Sequence, residues 1–413
     1  MRTVGLLTLA SLAVRNLLRH KRRSLITVCM IAVGVAGLMF HRAFAEGSYA
    51  QAIHNYTSTV TGHFQVCRSG FLGSFAAELF MDDHEALAQK LWQVPGITAL
   101  APRIVAQVLA STATKSQGVI CLGIDPKKER GITRLHELVI EGQFLESGDR
   151  GAILLGKPLA EMLDVQLGEK VVLFTQAYQG VLGAATLRVK GILETGSKEI
   201  DNRTIFTSLV SAQELLNYTD QISCWVVKTD SLKRIPEIAD YVSAKVIPPG
   251  YRVSRWDEIA PEIPQWINFF DAIIEVIMVV VLIVIAAGIM NTVLMGVWER
   301  TREFGLMMAL GTRRYHVVLI VLEEAVLLAL LGIVLGALLG IGVIAYYHQV
   351  GIDLGGFAAV QKEWHLGSRT YPLLSGKDLL HAILLLFFDT LIFSVYPAWR
   401  AAQLDPVEAM GHV

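Results

Sequence analysis

Asn291-Thr-Val-Leu-Met-Gly-Val-Trp-Glu-Arg-Thr-Arg-Glu-Phe-Gly-Leu-Met-Met-Ala-Leu-Gly311 begins inside an apolar run and leaves it at Glu299. The residues that follow favour a short helix, which Gly311 can end as a C′ residue. A link needing only to reverse the chain would take a few polar residues. This one mixes the charges of Glu299, Arg300, Arg302 and Glu303 with a compact apolar set, Phe304, Leu306, Met307, Met308 and Leu310. That mixture suits a helix docking into a groove on a partner. A positive-inside anchor with a helical cap would explain the arginines, but not the methionines or Phe304.

Uncharged runs flank this link. Val276 to Trp298 and Ala325 to Tyr347 each extend over 23 residues, and Leu379 to Trp399 is apolar apart from His381 and Asp389. Leu25 to Phe40 is shorter, but can extend through Ala43 and Phe44 if His41 and Arg42 snorkel. A bilayer core takes about 20 apolar residues of helix, so four spans are expected. They account for a chain of 413 residues that is 53% hydrophobic and only 18% charged, with a mean hydropathy of +0.48. Ordinary soluble domains run at about 25% charged. The net charge of −1 argues against a basic nucleic-acid coat or an acidic disordered tail. No CxxC or Cys/His cluster suggests a metal site, and none is expected.

The first run also resembles a cleaved signal peptide, through its basic residues and Ala43-Phe44-Ala45. Against that, residues 1–23 read as an amphipathic interfacial helix, with Leu9, Leu12, Ala13, Leu17 and Leu18 on one face and Arg15 and Arg19 on the other. Orientation follows from the basic residues beside the spans: Arg2, Arg15, Arg19, Lys21, Arg22 and Arg23 before the first, and Arg300, Arg302, Arg313 and Arg314 between the second and third. Both segments belong in the cytoplasm by the positive-inside rule. The expected order is an elbow helix at 1–23, spans at 24–46, 268–298, 315–347 and 378–399, an outer domain at 47–267, the link at 299–314, an outer loop at 348–377 and a cytoplasmic tail at 400–413.

The outer segment alternates β-rich runs (His63 to Val66, Val119 to Ile124, Lys170 to Phe174, Thr186 to Leu193, Ser223 to Val227) with helices at Asp82 to Gln93, Lys157 to Leu163 and Ser211 to Tyr218. The fold class is therefore a four-helix membrane protein with a large α+β outer domain, and its length suggests two subdomains. Gly151-Ala-Ile-Leu-Leu-Gly156-Lys157-Pro158 fits G-x-x-x-x-G-K, but Pro158 stands where a phosphate loop needs Ser or Thr, and Ala152 to Leu155 reads as a buried strand. Among the outer cysteines, Cys67, Cys121 and Cys224, the compartment permits a disulfide and the odd count leaves at least one thiol free.

Within the spans, Gly332, Gly336 and Gly340 repeat at the spacing that allows close helix approach. Glu275, Glu323, Glu324 and Asp389 are intramembrane acids, which by default suggest function. Glu275 and the glutamate pair fall near interfaces. Asp389 lies near the middle of its run, where an interhelical hydrogen bond is favoured over ion translocation. A proton-driven carrier would want several such acids and a repeated architecture.

The run ERTREFGLMMALGTRR, the tail Tyr396-Pro-Ala-Trp-Arg-Ala-Ala-Gln-Leu-Asp-Pro-Val-Glu-Ala-Met410 and the leading Arg15-Asn-Leu-Leu-Arg-His-Lys-Arg-Arg-Ser24 resemble permease subunits of the FtsX/MacB/LolCE superfamily of ABC transporters. Gly62-His-Phe-Gln-Val66, Pro102-Arg103, Gly123-Ile-Asp-Pro126, Ile153 to Ala160 and Gly191 to Gly196 followed by Asp201 are similar to its outer core domain. The resemblance implies a type VII architecture working by mechanical transmission. Two copies of a separate ATPase, which hold ATP and magnesium, would dock on coupling residues Glu299, Arg300, Arg302, Glu303, Gly305, Leu306 and Gly311. This chain would bind no cofactor and carry no catalytic residue. It would pair with a second permease subunit, identical or paralogous. Outer-domain size, four spans and no fused ATPase favour a subunit that extracts lipoproteins from the inner membrane and passes them to a periplasmic carrier. Their acyl chains would enter along Met39, Phe40, Ile273 and Ile277. The alternatives are MacB-like export of a peptide, toxin or amphiphile, and FtsX-like activation of a cell-wall hydrolase.

Overall fold

The computed structural model describes residues 21–353, 369–405 and 409. Most of the elbow helix expected at 1–23, half of the outer loop and the end of the tail lie outside the described residues. The chain divides into two compact units, one built from 21–49, 267–353 and 369–405 and the other from 50–266.

The first unit holds most of four long helices, Lys21–Tyr56, Glu262–Glu299, Arg314–Val350 and Gly376–Ala402, each apolar and long enough to span a membrane. The first three run well past the hydrophobic stretches. Hydropathy marks only the lipid-soluble part of a helix, whereas the backbone ladder continues until something breaks it. The first helix carries on through polar Ser48, Gln51 and His54, widens into a π turn at Thr57–Thr61 and stops at Gly62, whose φ of 66° ends it. A core formed by Ile31 and Val35 of the first span, Ile285 and Ile289 of the second, Ile333 of the third and Leu386 of the fourth holds the bundle together. The glycine stripe of the third span lies on the first. A Cβ added to Gly332 would come within 2.6 Å of the Ile31 Cβ, and one added to Gly336 within 2.5 Å of the Ala32 carbonyl oxygen. Gly340 faces Met39 and Ala36. In lipid, which gives no hydrophobic drive between helices, such close backbone contact supplies the dispersion energy that holds them.

The second unit is a ten-stranded sheet: β1 Phe64–Arg68, β2 Ile97–Ser111, β3 Ser116–Ile124, β4 Val139–Gly142, β5 Ala152–Gly156, β6 Lys170–Gln176, β7 Leu182–Leu193, β8 Thr204–Ser208, β9 Cys224–Thr229 and β10 Tyr251–Arg255. The order is β10-β1-β9-β2-β3-β8-β5-β7-β4, with β6 joined to β2 and β7. The pairs β3·β8 and β5·β7 are parallel and the others antiparallel. One sheet runs through the whole unit, because the 15-residue β2 pairs with β9 along its first half and with β6 near its end. Distinct apolar clusters line the sheet, one around Ile104, Leu155 and Leu173 and another around Phe64, Leu91 and Trp225.

The G-x-x-x-x-G-K stretch is β5, buried from Ile153 to Gly156, followed directly by helix Lys157–Leu163. The Gly156 backbone lies so close to the Asp201 backbone that even a Cβ would overlap it. No loop is left to wrap a phosphate.

Arg103 on β2 is fully buried and pairs with Glu129, Nη2 to Oε1 at 2.5 Å and Nε to Oε2 at 3.2 Å. Its Nη1 also donates to the Val60 carbonyl in the π turn, and the Thr133 hydroxyl donates to Glu129 at 2.9 Å. Nearby, the buried His63 Nδ1 accepts the Thr229 backbone N–H at 3.0 Å. That bond fixes the ring as neutral, and burial, reinforced by Lys228, pushes its pKa down to about 4.

Candidate functional site

The link between the second and third spans folds as the short helix Thr301–Ala309. Leu310 is its C-cap and Gly311, with φ of 94°, takes the left-handed C′ position. The Thr312 N–H bonds to the Met307 carbonyl and the Gly311 N–H to that of Met308, both at 3.0 Å, which is a Schellman motif. Any side chain at 311 would be strained there.

The helix has two faces with different work. Phe304 is completely buried among Val297 of the second span, Val317 and Val321 of the third and Ala398 and Ala401 of the fourth. Gly305 is buried beside it. Arg300 also turns inward: its Nη1 donates to Glu324 Oε2 at 2.9 Å, its Nε to Glu303 Oε2 at 3.0 Å, and its guanidinium lies 4.9 Å from the Phe304 ring centroid. Arg23 of the first span completes the cluster, reaching Glu299 at 2.8 Å and Glu324 at 3.5 Å. It fits because position 296 is glycine; a Cβ there would meet the guanidinium nitrogens at 2.7 Å. Glu324 thus joins the first span, through Arg23, to the base of the short helix, through Arg300. The opposite face exposes Arg302, Glu303, Leu306 and Leu310, with Leu310 79% exposed. Of the seven residues expected to meet a partner, Arg300 and Gly305 are therefore inside the bundle, while Glu299, Arg302, Glu303, Leu306 and Gly311 remain accessible.

Toward the other end of the bundle, Arg42 lies 3.8 Å from both Asp271 of the second helix and Asp378 of the fourth, and the Tyr49 hydroxyl donates to Asp271 at 3.2 Å. Arg23 and Arg42 are 19 positions apart, a helical rise of about 28 Å, close to the hydrocarbon thickness of a bilayer. Between these two charged levels lies a groove with a volume of about 870 Å³. The first span lines it with Leu25, Cys29, Val33 and Gly37, the second with Ile277 and Val281. Among the described residues, His41 is the one ionisable side chain in the lining apart from the Cys29 thiol.

The groove corrects part of the expected cavity. Ile277 lines it, and Ile273 is exposed one turn away. Met39 is completely buried in the bundle core, and the Phe40 ring stacks on Phe44 and meets Tyr347 edge-on. On a helix apolar all round, the stripe facing the third span takes residues 31, 35 and 39 at the i, i+4 period, which turns residues 26, 30 and 33 toward the groove.

A sequence profile described as the MacB-like periplasmic core domain matches residues 24–245, and one described as FtsX-like permease C-terminal matches 275–406. The chain belongs to this permease family. It is 24% identical to the Macrolide export ATP-binding/permease protein MacB 2 of Aeromonas hydrophila, over 97% of this chain and 60% of that protein. It is also 24% identical to the Lipoprotein-releasing system transmembrane protein LolC of Neisseria meningitidis, over 96% of this chain and 97% of that one. The permease thus spans about three fifths of the length of this MacB relative. The solved periplasmic region of MacB from Actinobacillus actinomycetemcomitans aligns with 52% of the chain at 13% identity and a TM-score of 0.35.

Two members of the permease's charged cluster, Arg23 and Glu324, were not singled out from sequence as parts of the coupling region. Their signal is an arginine and an acid at span edges, each too costly to bury unpaired. Asp389, read as a candidate interhelical hydrogen bond, has no partner for its Oδ2 among the described residues; the same holds for Glu323 Oε2. Glu275 lies on the second span, four residues beyond Asp271.

Proposed function

We propose that this permease, working with a separate ABC ATPase, extracts lipoproteins from the outer leaflet of a bacterial inner membrane and passes them to a periplasmic carrier. Both termini and the short helix Thr301–Ala309 are cytoplasmic in this reading, and the sheet domain is periplasmic. The observation that carries it is the groove between the first and second spans. Its apolar walls and its position between the Arg23 and Arg42 levels suit saturated acyl chains, which gain by leaving water but need no polar partner. The similarity to LolC, extending along nearly all of both chains, supports the same substrate class.

ATP and magnesium reside on the partner. Two ATPase copies dock on Leu306, Leu310, Arg302 and Glu303 of the two permease subunits, and the Arg23–Glu324–Arg300 cluster passes their motion to the spans. The groove then narrows and expels the acyl chains toward the domain and the carrier.

A photo-crosslinking residue at Val33 or Val281 tests this. Acylated proteins should be captured at both positions in the absence of ATP, and not at Leu339 on the third span. Capture of an unacylated amphiphile instead would favour the export function for which the Aeromonas relative is named.

A further inference from the structure

β1 and β9 pair antiparallel, and their register sets Cys67 directly opposite Cys224. Directly opposed residues in antiparallel strands hold their Cα atoms about 4.5 or 5.5 Å apart, depending on whether the pair is hydrogen-bonded. Both separations fall within the range of about 4.4 to 6.8 Å that a disulfide spans. The two side chains share one face of the sheet and are almost completely buried, and the Cys224 thiol reaches Gln65 Oε1 at 3.7 Å.

Cys121 is excluded from this pairing by the sheet itself. It lies opposite Ala106 on β2, whereas Cys224 lies opposite Arg103. Positions 103 and 106 differ by an odd number, so their side chains point to opposite faces. Cys121 accordingly packs with Ile104 and Leu155, and Cys67 and Cys224 pack with Phe71 and Phe206 on the other side. The ambiguity of three outer cysteines is thereby reduced to one geometrically allowed pair and one thiol left over.

We propose that Cys67 and Cys224 are a disulfide-forming site, oxidised as the domain folds and closing a covalent staple between β1 and β9. The proposal rests on the periplasmic placement of the sheet domain argued above, where protein disulfides act as oxidants. Each thiol loses its proton and together they give two electrons to a donor protein disulfide; one S–S bond forms between Cys67 and Cys224, and the donor leaves as two thiols. Oxidation precedes burial, because in the folded domain the neighbouring Cys224 thiol, together with desolvation, holds Cys67 protonated. The staple sits on the first strand after the first-span helix, where it fastens β1, next to the edge strand β10, to β9.

The test is a thiol count on the full-length protein from its native membranes, acid-quenched and then alkylated in denaturant. Without reductant, two thiols should be labelled, Cys29 and Cys121, rising to four after reduction. Peptide mapping should recover a 67–224 link. Cys121→Ser should lower the unreduced count to one and keep the link. Cys67→Ala/Cys224→Ala should leave the count at two with and without reductant. Four labelled thiols before reduction, or a link that includes Cys121, would overturn the proposal. Maleimide labelling of a cysteine placed at exposed Leu182 in intact spheroplasts reads domain placement separately, so a free Cys67 in a labelled, outward domain rejects the staple and not the topology.

Discussion

Arg300 and Glu324, 24 positions apart, meet at 2.9 Å with both side chains about nine-tenths buried. Glu324 also receives Arg23, so one carboxylate joins three helices. Removing one partner of such a pair leaves an uncompensated charge at a cost of about 3–5 kcal/mol. Glu303 softens the loss by retaining one bond to Arg300. Glu324→Gln should therefore lower ATP-driven release about tenfold or more while the ATPase still binds, as read by release assay and by pull-down.

The exposed face predicts the converse. Leu306→Asp places a charge where an apolar contact forms, leaving Phe304 and the charged cluster intact. The ATPase should bind about tenfold or more weakly, as expected when a central apolar contact is removed, with the thermal stability of the isolated permease unchanged.

The groove can be filled without disturbing the core. A Cβ at Gly37 meets nothing within 4 Å, and Gly37 lines the groove. Gly37→Trp should leave the melting temperature in detergent unchanged and suppress release. Gly336→Leu, by contrast, presses on the Ala32 backbone and should destabilise the bundle by about 1–3 kcal/mol. Gly342→Ala, with open space around it, should be neutral or slightly stabilising in the same melting experiment.

His63 makes the domain sensitive to acid. Its pKa is held near 4 in the fold against 6.5 unfolded, so at neutral pH it is uncharged in both states and costs nothing. As pH falls below about 6.5 the unfolded chain gains a proton that the folded one refuses, and stability declines by up to about 3 kcal/mol before pH 4. Chemical denaturation of the full chain at pH 7.5 and 4.5 should show that loss, and His63→Gln should flatten it.

Much of this was legible in the sequence because the signals were local. Four apolar runs, Gly311 as a helix terminator, the glycine repeat and the strand at Ala152 to Leu155 each depend on neighbours within a few residues. β2 was not legible: Ala99, Ala101, Pro102, Ala106 and Ala110 give Ile97–Ser111 little strand character, and its place is fixed by pairing with β9 and β3. Nor was the facing of the spans. A helix apolar on every side carries no stripe to show which way Met39 or Val33 points, and Met39, expected in the groove, lies in the core. Arg300 reads as a surface charge until its partner at 324 is known.

What the groove holds decides whether this permease carries lipoproteins. The permease with its ATPase, isolated from native membranes into nanodiscs, should carry acylated proteins identifiable by mass spectrometry and lose them on addition of ATP and magnesium, but not of a non-hydrolysable analogue. Complexes free of acylated protein that instead move another solute on ATP hydrolysis would contradict lipoprotein release.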